Sequence, residues 1–192
     1  MLIALEGSSP TTSGSNNYKY YVWDIYRDTK QTPKIYKEGP AAISMTGSPI
    51  NIRKMADAAT GFIRASTGKI FLVGWSRGAA ACIQVALDLS RSSYPNKIDA
   101  MFLFDAVDQD SSTSDFLNFI PGNVVNVYHA VATKKNWLDR QLFPTCGNTA
   151  DPKVHVFKRN FNTSHGGIAG AGDTDAGSRE WMWGHLRNEG VL

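Results

Sequence analysis

A three-layer α/β fold, with helices on both faces of a mostly parallel central sheet, is the fold class the sequence predicts, and three observations predict it. Short apolar runs of strand length alternate along the chain with longer segments of helical period. A Gly-x-Ser-x-Gly stands where one such strand meets one such helix. Hydrophobic residues make up 42% of the 192 residues and charged residues 19%, with nine Phe, seven Tyr and five Trp, which is enough to fill a core and excludes an intrinsically disordered chain. The length fits a single domain over residues 1–192.

The elements follow in order. Leu2 to Leu5 predicts a first strand, broken at Glu6-Gly7-Ser8-Ser9-Pro10, and the Ser, Thr, Gly and Asn of Thr11 to Asn17 predict a loop at its end. The aromatic and β-branched run Tyr20 to Tyr26 predicts a second strand, with Lys34 to Tyr36 as a short companion. Asn51 caps a helix to about Ala65, whose apolar face is Ile52, Met55, Ala59, Phe62 and Ile63. Lys69 to Val73 predicts a buried strand, Gly78 to Leu89 a helix rich in small residues, and Lys97 to Phe104 the next strand. Asp115 to Ile120 predicts a short helix stopped by Pro121-Gly122, Val124 to Tyr128 and Val154 to Phe157 two more strands, and Ala176 to Asn188 a terminal helix.

The chemistry starts at Val73-Gly74-Trp75-Ser76-Arg77-Gly78-Ala79-Ala80-Ala81. In a nucleophile elbow a serine sits on a tight strand-to-helix turn, and the positions two before and two after it lack side chains because two backbones meet there. The three alanines would let the helix pack closely behind the turn. A serine hydroxyl needs a base to take its proton and an acid to orient that base, in the chain order Ser, Asp or Glu, His. Of the four histidines, all after Ser76, His165 is the expected base, because it lies in a flexible glycine-rich loop, Asn162 to Gly170, just beyond the last strand. His129 and His155 fall on strands and His185 on the terminal helix, where structural or surface roles are expected. Asp105, closing its strand, is the expected acid, with Asp108 and Asp139 as alternatives. The oxyanion hole is expected from the backbone N–H of Arg77 together with Gly7 or Ser8 in the segment Gly7-Ser8-Ser9.

These residues resemble a family. Gly74-Trp75-Ser76-Arg77-Gly78-Ala79 is similar to the Gly-Phe-Ser-Arg-Gly-Ala elbow of the uncharacterised α/β-hydrolase domain of type VI secretion phospholipase effectors and related bacterial and fungal proteins. Leu103-Phe104-Asp105-Ala106-Val107 looks like its Trp-Asp-Thr-Val strand end, and Tyr128-His129-Ala130 like its His-Ala strand. Ser164-His165-Gly166-Gly167 looks like its late histidine loop, and Leu5-Glu6-Gly7-Ser8 like its opening Phe-Asp-Gly-Thr. The resemblance implies a minimal α/β-hydrolase-like domain, acting on carboxylic esters, lipid or phospholipid esters among them, through Ser76, His165 and an aspartate. The family's Asp-Glu-x-Arg run is replaced here by Thr133-Lys134-Lys135-Asn136, which puts the weight for the acid on Asp105. A thioesterase, amidase or deacetylase using the same triad is an alternative, as is a catalytically silent binding domain that has lost its acid.

The remaining expectations concern partners. Twenty Lys and Arg against 17 Asp and Glu, with no run of like charge, give no arm for nucleic acid. No apolar stretch approaches the roughly 18 residues of a membrane span, and Met1 to Gly7 lacks the basic start of a signal peptide. A cytoplasmic location is the default expectation, with signal-independent export left open, and oligomeric state is unspecified. No cofactor is required, and Asp173-Thr174-Asp175 is read as a helix cap rather than a metal site. Cys82 and Cys146 are expected to be independent thiols. Trp181 and Trp183 point to opposite sides of the terminal helix, one into the core and the other available for a lipid surface or partner.

Overall fold

The computed structural model describes residues 1–8, 20–40, 51–108, 113, 115–134, 144–172 and 174–192. In chain order its strands are β1 (Leu2–Leu5), β2 (Lys34–Lys37), β3 (Phe71–Trp75), β4 (Ile98–Phe104), β5 (Phe119–Ile120), β6 (Val124–Ala132), β7 (Thr149–Ala150) and β8 (His155–Phe161). Six of them form one parallel sheet in the order β2-β1-β3-β4-β6-β8, while β5 and β7 pair with each other. β1 lies between β2 and β3, with Ile3 opposite both Ile35 and Leu72. Alternation along the buried strands divides the core in two. Ile3, Leu5, Leu72, Met101, Leu103 and Val127 point to one face, against the helices α2 (Ile52–Arg64) and α3 (Arg77–Arg91). Leu2, Ala4, Phe71, Val73, Phe102 and Phe104 point to the other, against α1 (Tyr21–Asp28) and α4 (Ser178–Asn188). This is the predicted three-layer αβα sandwich.

From β1 the chain moves one way across the sheet to β2, with α1 on one face. It then returns past β1 to β3 and on to β4, with α2 and α3 on the other face. A single right-handed crossover rule requires that exchange of faces when the direction reverses. The reversal makes a topological switch point beyond the carboxyl ends of β1 and β3, the position where ligands bind in such sheets.

Several elements differ from expectation. Tyr21–Asp28 is helical, not a strand. A short apolar run is ambiguous by periodicity alone, and here a helix buries Val22 and Ile25, three apart, against the sheet while Asp24 and Arg27 pair at 3.0 Å along its outer side. The predicted helix at Asp115–Ile120 is absent. Asp115 is held to Arg91 at 2.6 Å, and Phe119–Ile120 is the short strand β5, paired with β7. Six residues ahead of a proline are too few for a helix to outweigh that pairing. β6 runs on to Ala132 and β8 to Phe161; the polar Lys158-Arg159-Asn160 hid the latter because β8 is an edge strand whose side chains are largely exposed. The α2 cap is as expected, with the Lys54 N–H donating to Asn51 Oδ1 at 2.9 Å. Cys82 and Cys146 are both buried and not disulfide-bonded. No helix among the described residues is long and apolar enough to cross a membrane.

Candidate active site

The turn between β3 and α3 is built by steric exclusion. A Cβ on Gly74 would lie 2.6 Å from the Ala79 nitrogen and the Gly78 carbonyl, and one on Gly78 would lie 2.0 Å from the Leu5 carbonyl oxygen. Strand, turn and helix therefore close to distances that no side chain allows, and the buried Ala79, Ala80 and Ala81 continue the close approach. Ser76, at the apex, has φ 55° and ψ −123°, a strained conformation for a residue with a side chain. Its N–H donates to the Phe104 carbonyl at 3.0 Å, and its own carbonyl accepts from Ala80 and Val107 at 3.1 and 3.2 Å. Those bonds hold the strain in place.

Ser76 Oγ lies 2.9 Å from His165 Nε2, and His165 Nδ1 lies 2.6 Å from Asp105 Oδ2. With Nδ1 donating to the Asp105 carboxylate, Nε2 is left to accept from the serine hydroxyl, the arrangement this geometry allows. Asp105 follows β4, is fully buried, and has φ 41°. Its N–H donates to the Ala130 carbonyl at 2.7 Å, and its second oxygen accepts the Ala132 N–H at 3.3 Å. The β6 backbone thus aims the carboxylate from two sides.

The loop carrying His165 is fixed rather than loose. The Trp75 indole N–H donates to the His165 carbonyl at 3.0 Å, Gly167 N–H to Ser164 Oγ at 3.0 Å, and Ser178 Oγ to the Ile168 carbonyl at 2.7 Å. Gly167–Ala169 winds into one turn of 3-10 helix. The glycines expected to give mobility instead let the chain fold tightly: a Cβ on Gly170 would meet the Tyr21 ring at 2.7 Å.

Of the other acids, Asp108 lies three residues past Asp105 with its N–H on the Pro144 carbonyl at 3.3 Å; Asp139 lies outside the described residues, as do Ser9 and Asp173. The Arg77 N–H opens α3, where the amides of a helix N-terminus favour negative charge. The Gly7 N–H donates to Glu6 Oε1 at 3.1 Å, and a Cβ on Gly7 would lie 2.6 Å from the Trp75 ring and 3.0 Å from Ser76 Cβ. The segment after β1 therefore reaches the serine, with the Gly7 amide engaged by its neighbour. Asp175 accepts the N–H groups of Gly177 and Arg179 at 2.9 and 3.2 Å, at the start of α4.

His129 takes the structural role expected of it, and Trp75 and Glu6 gain roles that the sequence did not suggest. His129, fully buried in β6, accepts the Ala106 N–H through Nε2 at 3.3 Å, directly behind Asp105. Trp75 clamps the histidine loop. Glu6 is a carboxyl buried completely at the end of β1, and burial pushes it up to about 7 against the pull of the Gly7 and Tyr36 hydrogen bonds. An acid closing a four-residue apolar strand was the available signal for it. His155 opens β8 in an exposed position, whereas His185, expected at the surface, is half-buried and stacks on Tyr128 at 4.2 Å; that burial lowers its pKa. Trp183 is buried, and Trp181 packs on Phe161 and His185.

No family model matches the chain, and no curated protein is similar to it in sequence. A solved structure of RedJ with a PEG molecule bound in its active site is similar in fold: the TM-score is 0.52 at 13% identity, over 98% of this chain and 91% of that one. With the six-stranded parallel sheet, this makes the fold α/β-hydrolase-like.

Proposed function

We propose that the chain is a serine hydrolase that cleaves carboxylic esters by acyl transfer to Ser76. The observation that carries the reading is the unbroken run of two hydrogen bonds, Ser76 Oγ to His165 Nε2 and His165 Nδ1 to Asp105 Oδ2, near the point where the chain reverses direction across the sheet. His165 takes the hydroxyl proton as Oγ attacks the ester carbonyl carbon, and Asp105 stabilises the imidazolium that forms. The oxyanion is met by the Arg77 N–H and by an amide of the segment after β1, of which Ser8 is the one not spent on Glu6. Collapse of the tetrahedral intermediate breaks the bond to the leaving alkoxide, which takes the proton from His165. Water, deprotonated by the same imidazole, then releases the acid and restores Ser76.

The leaving group is not specified by an elbow, so thioester, amide or acetyl substrates use the same steps. The silent-domain alternative supposed a missing acid, and Asp105 at 2.6 Å from His165 counts against it. Lipid esters and contact with a membrane surface belong to the same proposal, as substrates to be tried. The decisive experiment compares wild type with Ser76→Ala on p-nitrophenyl esters from acetate upward, alongside labelling by a fluorophosphonate. Turnover and labelling that vanish together in Ser76→Ala are expected; absence of both in the wild type refutes the hydrolase reading.

A further inference from the structure

Glu6 is a buried titratable group that the proposed acyl transfer does not use. It follows β1 directly, its backbone N–H donates to the Lys37 carbonyl at 2.9 Å, and its side chain is fully buried. Gly7 N–H donates to one carboxyl oxygen and the Tyr36 hydroxyl meets the other, each at 3.1 Å. The segment it holds is pressed from both sides. A Cβ on Gly39 would lie 2.0 Å from the Gly7 carbonyl oxygen, while Gly7 itself touches Trp75 and Ser76. The backbone there is closely packed, and the bond from the Gly7 N–H to the carboxyl helps set the direction of the Ser8 amide that follows.

We propose that Glu6 is a positioning residue for the oxyanion site and that it serves in its neutral form, resting on the serine-hydrolase reading above. Neutral, the carboxyl accepts from Gly7 at one oxygen and from the Tyr36 hydroxyl at the other, and brings no charge to the segment. Ionised, it would place a negative charge beside the segment that must receive a developing negative charge, and like charges oppose each other in a low-dielectric site. Among the described residues no cation pairs with it. Of the other titratable groups on elements packed around this end of β1, Lys37 lies on β2, Arg77 opens α3, and His165 lies beyond Ser76. Tyr20 packs on Trp75 and Tyr26 on Tyr36. The α1 charges Asp24, Arg27 and Asp28 pair among themselves. Burial holding the carboxyl near 7 is consistent with a neutral group in the acidic part of the working range.

The test is the pH profile of kcat/KM for an activated ester in wild type, Glu6→Gln and Tyr36→Phe. Gln keeps an acceptor for Gly7 and a polar group beside the Tyr36 hydroxyl but cannot ionise. The ratio of Glu6→Gln to wild type is expected to rise at least about threefold between pH 6 and pH 9. Tyr36→Phe, which removes a bond favouring the ionised form, is expected to move the alkaline decline to higher pH. A ratio flat with pH overturns the proposal while leaving Ser76-dependent turnover, and so the hydrolase reading, intact. Absence of Ser76-dependent turnover overturns both. Infrared difference spectra of the full chain between pH 6 and pH 8 test the protonation state apart from activity. A buried carboxylic acid band lost on raising the pH, and missing in Glu6→Gln, is expected, and its absence from the wild type overturns the neutral form even if the Gln variant fails to fold.

Discussion

The same substitution, glycine to alanine, is expected to act with opposite sign at two helical positions of this chain. Gly78 lies in the first turn of α3, and a methyl there would sit 2.0 Å from the Leu5 carbonyl oxygen and 2.6 Å from that of Glu6. Ordinary contact begins near 3.4 Å, so α3 and the end of β1 must separate by more than an ångström. β1 cannot yield, because it is hydrogen-bonded to β2 and β3 on its two edges. Overpacking of this kind costs about 1–3 kcal/mol and more where backbone is the obstacle, against a helix-propensity gain of at most about 1 kcal/mol. Gly78→Ala is therefore expected to lose about 2–4 kcal/mol. Gly61, in α2, has no atom within 4 Å of the place a methyl would take, and Gly61→Ala is expected to gain about 0.5–1 kcal/mol, a rise of about 2–3 °C in Tm for a chain of this size. Urea unfolding of the two variants and wild type, read at equal slope, measures both. A Gly78→Ala variant within about 0.5 kcal/mol of wild type would refute the account of the elbow as a steric closure.

Asp105→Asn should leave the fold and the 2.6 Å contact in place yet lower kcat by about 10³–10⁴-fold, because an amide on Nδ1 selects the wrong imidazole tautomer; steady-state kinetics on the ester substrate decide it. Trp75→Phe removes the indole donor from the His165 carbonyl while keeping a ring, and about 1 kcal/mol of lost positioning should appear as a roughly fivefold fall in kcat. Glu6 predicts a stability trend. Its carboxyl is raised from 4.5 to about 7 on folding, so the native state holds a proton that the unfolded chain releases between those values, and stability falls as pH rises through that window. At 1.36 kcal/mol per tenfold this is about 3 kcal/mol, and Glu6→Gln should gain that much on wild type between pH 4.5 and pH 7.5, followed by urea unfolding at each pH.

What the sequence made legible and what it hid divide along physical lines. The elbow could be read because its demands are local: two glycines, a serine, a strand before and a helix after. The proximity of Asp105 and His165 to Ser76 could be expected because loops at the carboxyl ends of parallel strands converge, and chain order and strand ends indicate which loops meet. The helix at Tyr21–Asp28 could not be told from a strand, since the six aromatic and branched residues of Tyr20 to Tyr26 satisfy either period and only the pairing of β1 with β2 beneath it decides. β5 and β7 are two residues each and exist only through each other. The roles of Trp75 and Glu6 depend on contacts between elements far apart in the chain, which no local pattern carries.

The order of the strands also sets a sequence of events. The site's three side chains stand after β3, after β4 and after β8, so the Ser76–His165–Asp105 chain spans the sheet from its centre to its last-synthesised edge. β1 waits some seventy residues for β3, and parallel pairings of this kind form slowly because the loop entropy is lost before the contact is gained. Ser76 and Asp105 can be in place while β8 is still undocked, but His165 cannot. On the proposed hydrolase reading, activity is thus a gauge of completed assembly: in refolding it is expected to be the last signal to return, and fraying at β8 to silence the molecule while most of its secondary structure persists.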